Sequence, residues 1–330
     1  MNNIRMKHSI LLLVIAGLPF ACEKSASDAG AETQKQFKWP EINNDEDIIA
    51  ILPQITNWGK WGPNDEKGTL NYITQDKILQ ASKLIQSGKS ISLSRQSNLA
   101  TTPGVREGSY QMQKGRYGSR DFVGAVWHGF AVTHLDGLAH VFADTTQMYN
   151  GFSIDSLRSE GAKVLGIENF SGGIVGKGVL IDVPNYLERD LEPGFAITPA
   201  LLEEVLERQK TLLSSGDIVF VRTGLGEKNT RERRAGLHPG CIVWAHKNQI
   251  TLLGGDGDND AHPIEGFDRY SSTFHTVGIP YLGLPLIDNA NLEELSSHCK
   301  EINRYQFFIT INPWRIEGTT SSPVNPVAIF

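Results

Sequence analysis

Thr133-His134-Leu135-Asp136-Gly137-Leu138-Ala139-His140 is the stretch from which the rest of this chain can be read. From Ala125 onward the residues leading into it are small, aromatic or β-branched, which suits an extended chain. In a strand, residues two apart share a face, so His134 and Asp136 point the same way. A neutral imidazole beside a carboxylate is a donor set that Zn²⁺ or Mn²⁺ accepts. The same H-x-D spacing also serves a hydrogen-bonded structural pair, and the pair alone does not separate the two. Gly137 lets the strand turn, so that His140 can swing back as general acid or base beside a metal-activated water. His128 lies on the same strand face, yet six residues of extended chain span roughly 20 Å. It reaches the same ion only if Gly129 introduces a bulge, and is otherwise a structural histidine.

Outward from this stretch, helical and extended patterns alternate. Thr74 is placed to cap a helix whose face carries Ile78, Ala81, Leu84 and Ile85, ending at Gly88. Residues 90–94 alternate as a strand does. Residues 180–183 read as a buried strand closed by Pro184. Thr198 followed by Pro199 is a helix start, and Leu201, Leu202, Val205, Leu206, Leu212 and Leu213 supply the buried face up to Gly216. Residues 218–221 form the next strand. A second helix from Pro239, with Ile242, Val243 and Ala245, leads to a strand at 251–253, and residues 307–311 form another, stopped by Pro313. Helices scattered among strands give a mixed α/β or α+β class, with a spacing closer to helix-then-strand units than to a sandwich.

The chain has 330 residues, 40% hydrophobic and 21% charged, enough apolar material for a large core. A net charge of −6 argues against a nucleic-acid partner, which calls for a basic face. At the N-terminus, Arg5 and Lys7 precede an apolar run from Ile10 to Leu18 and then Pro19-Phe20-Ala21-Cys22. The run is too short to span a bilayer and has the layout of a secretory signal, residues 1–21. Cys22 after the cut resembles a bacterial lipoprotein site, which makes the expected location periplasmic or membrane-anchored through lipid. Residues 22–38 are polar and small, as a flexible tether is, and a single domain is expected over 39–330. Cys241 and Cys299 either pair or sit in the core.

Other residues with the chemistry of a site carry competing readings. Asp256, in the run Gly254-Gly255-Asp256-Gly257-Asp258-Asn259-Asp260, is a further metal ligand, part of a weak calcium loop, or a turn residue. Arg222 either holds a substrate carboxylate or pairs internally. Tyr149 reads as packing, and His246 and His298 as helix residues facing solvent or core. No G-x-S-x-G elbow, phosphate loop or dinucleotide fingerprint is present in the sequence.

The central stretch resembles the signature of the cyclase family of metal-dependent hydrolases, which includes bacterial kynurenine formamidases and isatin hydrolase. That signature reads H-x-G-T-H-x-D-x-P-x-H, and Thr133-His134, Asp136 and His140 occupy matching places. Trp61-Gly62-Pro63-Asn64-Asp65-Glu66-Lys67-Gly68-Thr69-Leu70-Asn71, His128-Gly129, Tyr149-Asn150-Gly151, Arg222-Thr223-Gly224, His238-Pro239-Gly240 and the tail from Gly318 to Pro326 extend the resemblance over nearly all of the mature chain. The resemblance implies a single domain with the family's swivelling β/β/α-type fold and one or two divalent ions, Zn or Mn. It implies His134 and Asp136 as ligands, His140 as the proton-transfer residue, and His275 and Asp288 as distant ligands. The family has Glu where Asp288 stands, so the backbone must come closer. The first histidine of the signature falls on Phe130, which cannot bind a metal; this suggests a distinct branch, with either one ion held tightly or His128 or His262 substituting.

The expected activity is arylformamidase-like: hydrolysis of an amide or lactone of a small molecule by a metal-activated water. Two alternatives stand beside it, a non-catalytic exported binding lipoprotein on the same fold and a cyclase or dehydratase. Self-association into a homo-oligomer stays open.

Overall fold

Apolar β-branched runs separated by short helices place their strands in one mixed nine-stranded sheet. The structure is a computed structural model describing residues 38–330; the expected signal segment, Cys22 and the tether up to residue 37 lie outside the described residues. Across the sheet the strands run Ser90–Ser92, Val327–Ile329, Gln306–Ile311, Ile174–Asp182, Ile218–Arg222, Leu252–Gly255, Leu286–Asp288, His134–Asp136 and Ser321–Pro323. The four from Ile174 to Asp288 are mutually parallel, and helices connect them. Parallel strands buried on both faces read as unbroken apolar runs, which is why Ile218-Val219-Phe220-Val221 shows no alternation. The short strand His134–Asp136 pairs antiparallel with Leu286–Asp288 on one side and Ser321–Pro323 on the other.

That position explains the central stretch. Leu135 is fully buried and pairs with Ile287, so its side chain belongs to the core face while His134 and Asp136 take the opposite one. Direct pairing of His134 with Asp288 also brings the shorter carboxylate close, because the two backbones are adjacent strands. Asp288 ends a parallel strand, and ligand crevices of α/β sheets open at the carboxyl ends of such strands.

Several boundaries differ from the pattern reading. The helix capped by Thr74 spans Gln75–Ser82 and unwinds through tighter turns, Leu84 to Ala81 and Ile85 to Ser82, leaving Ile85 exposed. Pro184 does not end the strand in a turn: Asp182 caps a new helix, Val183–Leu187, and the proline sits in its first turn. The helix after Thr198 spans Pro199–Arg208, and the left-handed backbone at Lys210 (φ 51°) ends it. Leu212 therefore lies outside that face and is 81% exposed. The extended run expected from 125 to 136 is broken. An antiparallel hairpin, Arg106–Lys114 with Ser119–Val126, ends before Trp127, and residues 127–133 form an irregular loop. Cys241 and Cys299 are both buried free thiols, and the Cys241 thiol donates to the Ile197 carbonyl. Tyr149 is buried and its hydroxyl donates to Asp65 at 2.9 Å, tying the Trp61-to-Asn71 segment to the region after the central stretch.

Candidate metal centre

The loop 127–133 does what a straight strand could not. Gly129 has φ +141°, a conformation open to glycine, and the reversal turns His128 back toward Asp136. His128 Nδ1 then stands 2.9 Å from Asp136 Oδ1, misdirected for a hydrogen bond. The loop is clamped from three sides. Arg95 donates to the Phe130 carbonyl, Asn289 donates to the carbonyls of Gly129 and Val132, and Arg106 donates to the His128 carbonyl. Thr133 fixes the far end by donating to the Asn289 carbonyl.

His134 Nδ1 lies 2.8 Å from the Val132 carbonyl, which takes that nitrogen as donor and leaves Nε2 with its lone pair facing the site. Nε2 is 3.5 Å from Asp136 Oδ1 and 4.0 Å from Asp288 Oδ2. His140, past the turn at Gly137, brings its Nε2 to 3.7 Å from Asp136 Oδ2, and its ring stacks on His128 at 3.8 Å. His275 comes from the π-helical segment Phe274–Leu282; its Nε2 is 3.6 Å from Asp136 and 3.4 Å from Asp288. Two sets of side chains thus converge, His128 with Asp136 and His140, and His134 with Asp136 and Asp288. Within each set the donor atoms lie within 4.8 Å of one another.

Two residues that pattern reading passed over hold this arrangement. Asp260 accepts from the Phe274 amide at 2.8 Å with one oxygen and faces His275 Nδ1 at 2.9 Å with the other. It aligns the imidazole so that Nε2 points inward. Asn259 donates to Asp288 Oδ1 at 2.8 Å, leaving Oδ2 toward the histidines. Asp260→Asn keeps the acceptor for the Phe274 amide but weakens the hold on His275. It should lower metal affinity about 10- to 100-fold in a chelator competition. Unchanged affinity would show that Asp260 does not orient the ligand.

The charges are strained in a way that a cation relieves. Both oxygens of Asp136 are buried without a hydrogen-bond partner, which costs free energy in a protein interior. Burial pushes the Asp136 carboxyl up, but the surrounding imidazoles outweigh it and hold the group well below the usual carboxylate range. Burial takes His140 down to about 4, with Asp136 opposing only in part, so the ring is neutral near pH 7. At His275 burial also pulls downward, but Asp288, Asp136 and Asp260 outweigh it and raise the imidazole well above its ordinary value. Unpaired buried carboxylate oxygens amid imidazole nitrogens form the donor chemistry of a divalent-ion site.

The other residues singled out from the sequence fall elsewhere. Asp256 turns its carboxylate away and accepts from the amides of Thr223 and Gly224 and from the Thr223 hydroxyl, so it closes a turn. Arg222 donates to Asp182 and Glu293, an internal pair away from these histidines. His262 precedes a cis Pro263, pairs through its backbone with Arg234, and belongs to neither converging set. Phe130 lines the cavity above the site as an apolar wall, with the Arg234 guanidinium 5.9 Å from its ring centre. Phe130 supplies no ligand, as its chemistry dictates, and His128, two residues earlier, stands beside Asp136. Arg106, Arg231, Arg234, Asp258 and Ser272 also line it. Asp258 and Asp260 were visible as acidic residues of one Gly/Asp run, but its most conspicuous member was Asp256.

With this geometry in place, the comparisons define the class. Residues 90–259, just over half of the chain, match the cyclase family model, and the chain belongs to that family. The crystal structure of a novel cyclase is similar over 84% of this chain and 100% of its own, at 28% identity and a TM-score of 0.76. Isatin hydrolase A from Ralstonia solanacearum is similar over 78% of this chain and 97% of its own, at 18% identity and a TM-score of 0.51. An isatin hydrolase bound to the product analogue thioisatinate is similar over 78% of this chain and 98% of its own, at 14% identity and a TM-score of 0.50. At such identities the two hydrolases share the fold alone with this chain. No curated protein matches it. The mixed α/β fold is that of cyclase-family structures, and its His/Asp groups are able to bind a metal.

Proposed function

We propose that this chain is a metal-dependent hydrolase that opens an amide or lactone carbonyl of a small molecule, in the manner of an arylformamidase. The observation that carries the reading is Asp136, buried, shared by both converging sets and without a hydrogen-bond partner at either oxygen. His134, Asp136 and Asp288, with His275 beside them, would hold one ion, and His128, Asp136 and His140 offer places for a second. Imidazole and carboxylate donors suit Zn²⁺ or Mn²⁺. When bound, such an ion supplies Lewis-acid chemistry, polarising a carbonyl and acidifying water.

The protein's own groups do the rest. His140 is neutral near pH 7 and borders the cavity, so its Nε2 is able to take a proton from the attacking water and return it to the leaving nitrogen or oxygen. Phe130 presents an apolar wall, and the cavity of about 470 Å³ fits a small molecule. His128 favours this reading over a disabled binding protein, since an imidazole nitrogen stands near Asp136 although Phe130 supplies none. Export, from the signal-like residues 1–21, is part of the same proposal.

Elemental analysis of the purified mature chain together with hydrolysis of formanilide and of dihydrocoumarin tests it. Stoichiometric Zn or Mn with uptake of water into either product supports a hydrolase. A folded protein without tight metal sinks the proposal in favour of a binding protein, and a product formed without water points to a cyclase or dehydratase.

A further inference from the structure

The cavity above the histidines has guanidinium groups on its rim that no carboxylate among the described residues neutralises. Three carboxylates line it, Asp136, Asp258 and Asp288, against three guanidinium groups, Arg106, Arg231 and Arg234. Arg234 is spent internally. It donates to Asp258 at 2.6 Å, to the Arg231 carbonyl at 2.6 Å and to the Ser272 hydroxyl at 3.2 Å, and is 5% exposed. Arg106 and Arg231 differ from it. Both are exposed on the rim, and among the described residues neither has a carboxylate partner. Arg106 uses one nitrogen on the His128 carbonyl; the Arg231 side chain has no hydrogen-bond partner among the described residues, while its backbone is anchored by Arg234.

A single divalent ion held in the site below would leave this cavity net positive, even counting Asp260 behind His275. A guanidinium on a cleft rim is the group that binds carboxylate in a two-pronged way, and the low-dielectric walls of a cleft strengthen its field. We infer that the substrate is a carboxylate-bearing molecule, with its carboxylate seated on Arg231 and assisted by Arg106, and its reacting carbonyl directed down toward Asp136. This rests on the hydrolase reading above for the reacting carbonyl, but the anion seat itself stands on the arginines. Arg231 is then the residue that sets specificity, and Phe130 is the wall against which the apolar part of the substrate lies.

The test is a calorimetric titration of the mature protein, with Zn²⁺ present, using benzoate and the isosteric neutral benzamide as probes. Benzoate should bind at least about tenfold more tightly than benzamide in the wild type, as a charge-assisted pair requires. Arg231→Ala should reduce that ratio about tenfold, Arg231→Lys should restore part of it, and Arg231→Glu should abolish the preference. The Arg231 side chain is exposed and has no partner among the described residues, so these variants should leave the fold intact. A wild type without preference, or a ratio unchanged in Arg231→Ala, overturns the inference, because carboxylate would then be held by the ion or not at all. The two readings fail separately. Turnover of formanilide with an unchanged ratio removes only the anion seat, whereas an Arg231-dependent ratio without turnover of any amide or lactone removes only the hydrolase.

Discussion

Asp136→Asn should leave the purified protein without bound metal and lower turnover by about 10³-fold or more, ~4 kcal/mol of transition-state stabilisation. The size follows from where the carboxylate stands. It is common to both converging sets, is 1% exposed, and has no hydrogen-bond donor to satisfy it otherwise. An amide keeps the shape but removes the charge and one acceptor, so neither set can neutralise a divalent ion. Asp288→Asn touches only the set with His134 and should therefore leave metal at a reduced stoichiometry. Elemental analysis of the two variants side by side separates a shared ligand from an ordinary one. Full metal content in Asp136→Asn would refute the site.

The second large effect is at His140. Its replacement by alanine should cut turnover by about 10² to 10⁴-fold, the range of a lost proton-transfer group, while metal content stays at the wild-type level. The sign of the pH dependence follows from burial. The ring is held down to about 4, so the neutral form needed as base persists above that value and is lost as pH falls through it. The acid limb of the wild-type kcat/KM profile should therefore lie near or below pH 4 and vanish in His140→Ala. Loss of an ion in that variant would instead make His140 a ligand, a role open to it by its place beside His128 and Asp136.

The parts of this site that were legible in the sequence are those governed by local periodicity. Residues two apart in a strand share a face whatever surrounds them, so His134 and Asp136 were paired before any fold was known. Glycine after them marked the turn that returns His140. The helix caps at Thr74 and Thr198 and the apolar runs of the parallel strands were equally local, although their ends were not, because a left-handed residue such as Lys210 stops a helix without announcing itself in the hydrophobic pattern. His275 and Asp288 came from family resemblance and not from spacing, since more than a hundred residues of chain separate them from Asp136 in this sequence.

Asp256 and Arg222 show the opposite case. Each had the chemistry of a site residue, and each is consumed by neighbours, one by the amides of a turn and the other by Asp182 and Glu293. Asp260 and Arg231 had no local signal beyond their charge. Their importance lies in what they face: a histidine ring in one case and an open cavity in the other.

By itself, then, the sequence determined that an imidazole and a carboxylate would share a strand face beside a glycine turn, because a two-residue period is a property of the backbone. Only the tertiary structure decided which other nitrogen would stand near Asp136. Gly129 reverses the loop, and Arg95 and Asn289 clamp it, so that His128 enters the site while Phe130 becomes its wall. Those contacts join residues far apart in the chain, and no periodicity encodes them.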